Sequence, residues 1–313
     1  RAAEPILNLE LFKNRVFTVT NIVGFLMGLG MFGSLMFLPL FLQGVIGVSA
    51  TSSGNTMLPM MLAMIGASIL GGQLITKVSF RSLFVSGMSL MAIGFYLLST
   101  MTVHTSQLLA IVYIILIGLG MGLIMPTVTI AVQSAFGPRQ RGVATSATQF
   151  FRSIGGTLGM TVLGVVFNYR SLTLMEQEFF PAIQNIPDLQ TGPLSSMLAT
   201  AHTHPQSLFN VLLSPDIVQQ IPVELQQILL PPLKETLADS LQMVFFVAMG
   251  ITIVGIAISF FMGNTGIEKK NSLPAVEQAG VTLFAEGFVT ETEIAAELVP
   301  DLLKKEQNQL KQK

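Results

Sequence analysis

The chain has 313 residues, of which 51% are hydrophobic and only 11% are charged, and its formal net charge is −1. An average soluble domain carries about 25% charged residues, so this chain has too little charge to cover the surface of a soluble globule. The absence of cysteine excludes a disulfide-stapled module and a zinc-thiolate site. The balanced charge gives no basic footprint for nucleic acid, so no nucleic-acid partner is expected.

The placement of the charged residues divides the chain into membrane spans. No ionisable residue occurs in the 61 residues from 16 to 76, and the 57 residues from 82 to 138 contain only His104 and two tyrosines as titratable groups. A membrane helix needs about 20 mostly apolar residues, so each window holds two spans and a turn. Two further apolar runs bring the number to six, which predicts an all-α polytopic membrane protein with a six-helix bundle. The predicted spans are 17–42, 53–75, 83–101, 107–134, 145–168 and 239–262.

The segment between the fifth and sixth spans, 169–238, differs from the other connections because it contains eight prolines. It predicts a long extramembrane loop inside the six-span half-domain 17–262. Short amphipathic helices are expected within this loop near 206–213 and 216–229.

The two ends of the chain are polar. The segment 1–16 precedes the first span, and the tail 263–313 is charged. Thr290 followed by Glu293 is typical of a capping box and predicts a surface helix near 291–310. The sequence starts with Arg1 rather than Met, and we expect it to be part of a longer protein.

Basic residues in the short loops predict the orientation of the spans. They cluster before the first span and in alternate loops, whereas the turns 44–52 and 102–106 contain none. In a six-span arrangement every cluster falls on the same side. Both termini are therefore predicted to be cytoplasmic, with 169–238 on the outer side. The clusters are Lys13 and Arg15, Lys77 and Arg81, and Arg139 and Arg141.

Small residues four positions apart recur in four of the six spans. Membrane helices approach each other through such residues, because lipid offers no hydrophobic drive for their association. The pattern predicts a tightly packed bundle. The pairs are Gly24 with Gly28, Ala67 with Gly71, Gly118 with Gly122, and Gly155 with Gly159.

Arg152 lies about two turns into the fifth predicted span, roughly 10 Å deep. An intramembrane charge is a functional hypothesis by default, so we predict a gating or structural pairing role for this face. Snorkelling of the arginine to the interface and direct contact with substrate are the alternatives. The arginine shares this small and polar face with Thr148, Gln149, Gly155, Gly156 and Gly159.

Two other groups of residues are candidates for the lining of a cavity. In the fourth span Pro126, Thr129 and Gln133 lie on the face of its glycine pair, which favours either a kinked packing face or a cavity wall. In the first span Asn21 is followed by Phe25 on the same face. Rows of Phe and Met usually form core or lipid-facing surface, but they also suit a pocket for large apolar ligands.

The spans lack the groups that most membrane chemistry requires. They contain no Asp or Glu apart from Asp239, at the mouth of the sixth span. A carboxylate proton relay within this chain, an intramembrane aspartyl protease and a metal site are therefore unsupported. The sequence has no phosphate loop and no nucleophile elbow, so ATP-driven transport and enzymatic activity are not predicted, and no cofactor is expected.

Three stretches of the sequence carry a family resemblance. They are LFKNRVF at 11–17 with LPLFLQ at 38–43; GQL at 72–74, followed by Lys77 and Arg81; and RGVA at 141–144, followed by RSIGGTLG at 152–159. Together they resemble the C-terminal half of a major facilitator superfamily transporter. They are most similar to the fourteen-span drug/proton antiporters of the EmrB/QacA type.

The second stretch, with Gly72, Lys77 and Arg81, resembles the cytoplasmic loop motif of this superfamily. Thr76 and Ser79 stand where the motif has an acidic residue and a second glycine. A charge-relay role for this loop is therefore not expected, and its basic residues are assigned to topology.

The resemblance implies a multi-pass protein of the cytoplasmic membrane that exports small amphipathic compounds by alternating access. It implies a central cavity between two six-span bundles, so the expected partners are the lipid bilayer, an N-terminal transporter half and protons. The proton-coupling residues are expected in that N-terminal half. Two alternatives remain open: an exporter of one metabolite, such as a siderophore, amino acid or lipid precursor, and a non-transporting membrane scaffold or sensor.

Overall fold

The structure, a computed structural model, describes residues 9–183, 206–213 and 223–263. Its helices are α1 (Arg15–Phe41), α2 (Ala50–Leu74), α3 (Phe80–Ser99), α4 (Gln107–Ala135), α5 (Pro138–Leu174), α6 (Gln206–Leu213) and α7 (Val223–Ser259). Single turns extend three of them. They are Leu42–Ile46 after α1, Met175–Phe179 and Phe180–Ile183 after α5, and Phe260–Met262 after α7.

Polar caps define the starts of four long helices. The side chains of Asn14, Ser49, Ser79 and Ser106 accept hydrogen bonds from backbone N–H groups in the first turns of α1, α2, α3 and α4. These N–H groups have no partner within the helix, so each cap removes an unpaired donor. The α5 helix instead begins with Pro138, which lacks an N–H and suits a first helical position.

Six helices, α1 to α5 and α7 with their terminal turns, are long and apolar enough to cross a membrane. The described part of the chain contains no β-strand. The predicted all-α, six-span fold is therefore confirmed. In the bundle α4 packs along α2 and α3, α1 packs along α5, and α7 packs along α3 and α1.

Hydrogen bonds at the helix ends agree with spans that alternate in direction. Arg15 Nε donates to the Phe261 carbonyl (2.6 Å), and Asn14 Nδ2 donates to the Ala135 carbonyl (3.4 Å). The start of α1 therefore lies beside the ends of α7 and α4. Because the spans alternate, the basic clusters share one end of the bundle, which we call the basic end. Its residues are Lys13, Arg15, Lys77, Arg81, Arg139 and Arg141.

The small-residue pairs lie at helix–helix contacts, as predicted. A Cβ on Gly118 would overlap the Met60 carbonyl of α2, and a Cβ on Gly122 would overlap the Met64 carbonyl. The backbones of α2 and α4 thus approach to a distance that no larger residue allows. Gly71 of α2, from another of the small-residue pairs, lies against the backbone of α4 in the same helix–helix interface.

The helices of the last two spans are longer than the predicted membrane-crossing segments. The α5 helix runs from 138 to 174 rather than from 145 to 168, and α7 begins at Val223 rather than at 239. Residues 169–183 and 223–238, assigned to the long loop, are therefore helical. The amphipathic helix expected at 206–213 is confirmed as α6. Of the one expected at 216–229, the described part, 223–229, forms the first turns of α7.

Packing explains these longer helices. Hydropathy indicates where a helix meets lipid, but it does not indicate where helical hydrogen bonding ends. The added turns bury apolar side chains, and this burial outweighs the hydrogen bonds lost at the two prolines inside α7. The buried side chains are Leu174, Met175, Phe179, Leu229, Leu233 and Leu237. The tail helix predicted near 291–310 lies outside the described residues.

Candidate functional site

The predicted gating face of α5 forms a close crossing with α1. A Cβ on Gly155 would overlap the Phe25 carbonyl, and a Cβ on Gly159 would overlap the Leu29 carbonyl. In the reverse direction, a Cβ on Gly28 would overlap the Arg152 carbonyl. The two backbones are therefore in contact over two helical turns, and glycine is required on both sides.

Gly156 also packs against α1, but it meets a side chain rather than the backbone. A Cβ at this position would overlap the ring of Phe32. All three predicted glycines of α5 are buried against α1, so their first role is packing.

The structure places Arg152 beside the middle of α1. Its carbonyl packs against Gly28, which places it beside the 25–28 turn of α1. Measured along α1, this turn lies ten to thirteen residues from Arg15, roughly 15–20 Å at 1.5 Å per residue.

The guanidinium of Arg152 bonds within its own helix. Its Nη2 donates to Gln149 Oε1, one turn earlier, and the side chain is half-buried. Gln149 is near this arginine by sequence spacing, and the structure shows a hydrogen bond between the two side chains. Thr148 lies on the buried side, where its hydroxyl donates to the Ala144 carbonyl (2.9 Å), so it does not reach the guanidinium's exposed side.

An exposed polar stripe runs along α5 beside its glycine face, and sequence reasoning identified only its first residue, Gln149. Gln149, Ser153, Thr157 and Thr161 are all exposed along one helical face. The hydroxyls of Thr157 and Thr161 each donate to the carbonyl four residues earlier, at 3.1 Å. The signal was available, because polar residues recur at spacings of four from Gln149 onward. Only the packing of α1 on the glycine face shows that this stripe lies on the outside of the bundle.

Of the two candidate lining residues in α1, only one presents an unpaired polar atom. Asn21 is buried, and its Nδ2 donates to the Phe17 carbonyl (2.7 Å). Its Oδ1 has no hydrogen-bond partner among the described residues. Phe25 is half-buried, and its backbone forms part of the crossing with α5.

Of the three candidates in α4, Pro126 packs against α2, and the other two are partly exposed. Pro126 lies against Gly71 of α2, with its Cγ 3.4 Å from the position of an added Cβ, which favours the packing interpretation. Thr129 and Gln133 are half-buried. The Thr129 hydroxyl donates to the Met125 carbonyl (3.3 Å).

The three residues of the loop motif differ in the contacts that they make. Lys77 is exposed, and a Cβ on Gly72 would meet no atom within 4 Å. Arg81, however, stacks on Phe260 with its guanidinium carbon 4.8 Å from the ring centroid. This cation–π contact and the Arg15–Phe261 hydrogen bond hold the end of α7 at the basic end. Arg81 therefore has a structural contact beyond the topological role predicted for it.

The described residues contain no group of three or more His, Asp or Glu side chains that could hold a metal ion. What the geometry offers is a tight helix crossing, a half-buried cation and a polar outer face.

Comparison with known protein families identifies the family to which the chain belongs. The model of the Major Facilitator Superfamily matches residues 2–160, just over half of the 313-residue chain. The chain belongs to the Major Facilitator Superfamily. It is thus an integral, multi-pass membrane protein of a transporter family, and the expected class, a transporter rather than an enzyme, agrees with this membership.

Relatives and solved structures agree with the family. The multidrug transporter protein MdtP of Bacillus subtilis is 44% identical over 87% of this chain and 50% of its own length. Multidrug resistance protein 3 of the same organism is 31% identical over 86% of this chain and 49% of its own length. The chain therefore spans about half the length of these relatives.

The fold resembles that of the E. coli fucose:proton symporter FucP, with a TM-score of 0.54 at 17% identity. The similarity covers 80% of this chain and 49% of the symporter. At this identity the likeness concerns the fold alone.

Proposed function

We propose that the chain is the C-terminal half of a secondary active exporter of small amphipathic compounds, similar to the fourteen-span drug/proton antiporters. Two relatives bear the names multidrug transporter and multidrug resistance protein, and the chain spans about half the length of each. Its six candidate spans suit half of a transporter. In this proposal an N-terminal bundle completes a central cavity, and the two halves rock to give alternating access.

The observation that carries the proposal is the exposed polar stripe of α5. The Thr157 and Thr161 hydroxyls bond within the helix, but the described residues give no partner to the Gln149 amide nitrogen or the Ser153 hydroxyl, and hydrocarbon supplies none. Such a face belongs against a water-filled cavity or another polar protein surface. We therefore assign Gln149, Ser153, Thr157 and Thr161 to the wall that faces the N-terminal half.

Arg152 has a natural place in this proposal. Gly28 is the middle residue of α1 (Arg15–Phe41), so its contact with the Arg152 carbonyl puts the backbone of this residue near the centre of the membrane. Its bond to Gln149 directs the guanidinium toward the edge of the polar stripe. We assign it to gating between the two halves, since a desolvated cation there can change partners as the halves move.

Protons are the proposed coupling ion, and the coupling residues are assigned to the other half. No Asp or Glu occurs between Glu10 and Glu176, so the five spans that this interval contains offer no carboxylate near the crossing. A carboxylate partner for Arg152 would also come from the other half.

A bulky substitution within the stripe tests its assignment to the cavity wall. In the full-length transporter, Thr157→Trp is expected to abolish most export of a fluorescent amphipathic cation, because the indole occupies the proposed cavity. The side chain at 157 is exposed, so the substitution causes no overlap within the described bundle. Efflux from intact cells, compared at matched protein abundance, measures the effect.

Val162→Trp is the matched control. Val162 is 44% exposed on the same helix but lies about 100° around the helix from Thr161, off the stripe, and its substitution is expected to preserve export. Equal efflux in the two variants, whether both active or both inactive, would contradict the assignment of the stripe to the cavity. Competition by a panel of unrelated amphiphiles distinguishes a multidrug exporter from one specific to a single metabolite.

The orientation of the chain has its own test. Because basic clusters face the cytoplasm, a cysteine introduced by Thr102→Cys should react with an impermeant thiol reagent in intact cells. One introduced by Thr76→Cys should react only after permeabilisation. Both side chains are exposed at opposite ends of the bundle, and this chain contains no cysteine. The reverse labelling pattern would overturn the proposed orientation.

A further inference from the structure

A second feature of the bundle lies away from the α1–α5 crossing, at the end opposite the basic end. Here residues of α5 and α7, with Ser99 at the end of α3, line an open groove with a volume of about 600 Å³, within the range of about 300–1,000 Å³ found for small-molecule sites. Two residues of opposite charge, Arg170 of α5 and Asp239 of α7, line the same groove. Nothing in the proposed transport cycle uses either of them.

The lining of this groove changes from ionic to apolar along the helix axes. On α5, which runs away from the basic end, Arg170 lies farthest out and Val165 lies deeper. On α7, which runs toward the basic end, Asp239 lies farthest out and Phe246 lies deeper. Val165 is 65% exposed and Phe246 is 52% exposed. The two helices thus form one amphipathic groove, charged at the top and apolar below.

The depth of the groove matches the boundary of a bilayer. The α3 helix has 20 residues, which span roughly 30 Å, the thickness of a hydrocarbon core. Its last residue, Ser99, lines the groove. The charged residues therefore lie at the level of lipid headgroups and the apolar residues at the level of acyl chains. Tyr169, also in the lining, is of a type enriched at this interface.

The two charges are free to act on a third group. The structure gives no ion pair between Arg170 and Asp239, both of which belong to its described part. The Asp239 carboxylate accepts one hydrogen bond, from Gln242 Nε2 at 3.2 Å, and the same nitrogen also donates to the Met101 carbonyl. Gln242 thereby fixes the position of the carboxylate relative to the end of α3 without neutralising it.

We propose that this groove binds a zwitterionic phospholipid with a primary amine in its headgroup. An anionic lipid would satisfy Arg170 but place negative charge beside Asp239, and a cationic amphiphile would do the opposite. A headgroup with both a phosphate and an ammonium satisfies both side chains. The phosphate pairs with the guanidinium, the ammonium donates charge-assisted hydrogen bonds to the carboxylate, and the acyl chains lie along Val165, Met243 and Phe246.

Native mass spectrometry of the full-length transporter in detergent tests this site. The protein is titrated with phosphatidylethanolamine, phosphatidylcholine and phosphatidylglycerol that carry identical dioleoyl chains. We expect phosphatidylethanolamine to bind roughly tenfold more tightly than the other two, as one charge-assisted hydrogen bond would produce.

Two substitutions separate the two ends of the headgroup. Asp239→Asn is expected to remove the preference for phosphatidylethanolamine while leaving phosphatidylglycerol binding unchanged or tighter. Arg170→Gln is expected to weaken all three lipids, because all three carry the phosphate. Val165→Trp should weaken all three as well, by filling the apolar part of the groove. Melting temperatures close to that of the wild type confirm that each variant is folded.

Glu176→Gln is the matched control, since Glu176 is an exposed carboxylate beyond the end of α5 and outside the groove. It should leave the lipid preference unchanged. Equal wild-type affinity for the three lipids, or a preference that survives Asp239→Asn, would overturn the proposal. Equally tight binding of glycerophosphoethanolamine, which has the headgroup but no acyl chains, would overturn the assignment to a lipid.

Discussion

Gly155→Ala is expected to lower the melting temperature of the full-length transporter by several degrees. The added methyl would overlap the Phe25 carbonyl at the point where α1 and α5 touch. Overpacking of this kind costs about 1–3 kcal/mol, and a backbone carbonyl inside a helix cannot move aside as a flexible side chain can. The gain in helix propensity from glycine to alanine, roughly 0.5–1 kcal/mol, offsets part of the cost.

Gly164→Ala provides the comparison within the same helix, because an added Cβ at this position would meet no atom within 4 Å. It should leave the melting temperature unchanged or raise it slightly through the same gain in propensity. Thermal unfolding in detergent, followed by size-exclusion chromatography, measures both variants. If Gly155→Ala proved as stable as Gly164→Ala, the close approach of α1 and α5 would be refuted.

Arg152→Ala is expected to reduce export strongly while leaving the abundance of the transporter nearly unchanged. The substitution removes the hydrogen bond to Gln149 Oε1 and the cation that we place near the centre of the membrane. Hydrogen bonds to charged groups contribute about 1.5–3 kcal/mol. In a step that depends on the guanidinium, the loss corresponds to a roughly tenfold or greater fall in rate.

Arg152→Lys distinguishes gating from snorkelling. An ammonium cannot reproduce the planar fork of the guanidinium, so gating predicts only partial rescue. If the arginine merely reached the interface, lysine would restore full export. Arg139→Ala, at an exposed position of the basic end, is the control for a general loss of positive charge. Wild-type export in both Arg152 variants would show that this residue has no part in transport. The measurement is efflux at matched expression.

Much of the fold could be predicted from local properties. Each of the six apolar runs acts within a single segment, and the structure confirms the helices that they indicate. The glycine pairs were also identified in advance, because close approach of membrane helices needs small residues whatever the partner helix. The helix partners of those glycines were not predictable, since nothing in a glycine specifies which backbone it meets.

The functional face was predicted only in part. Arg152 and Gln149 are neighbours because they lie three residues apart on one helix, and this spacing is visible in the sequence. The exposure of Ser153 and Thr157 depends on α1 covering the other side of α5. The groove of Arg170 and Asp239 depends on two residues 69 positions apart in the chain, and no local pattern brings them together.

By itself, the sequence determined the membrane class, the number of spans and the alternation of basic and non-basic ends. Each follows from hydropathy or charge summed along a single segment, which does not depend on neighbouring helices. Only the tertiary structure decided the register of α5 against α1, the true lengths of α5 and α7, and the face of α5 left uncovered. Those features arise from packing between distant segments, where the fit of a carbonyl against a glycine sets the depth of Arg152. Burial of residues such as Leu174 and Leu233 keeps a helix intact beyond the point at which its hydropathy falls.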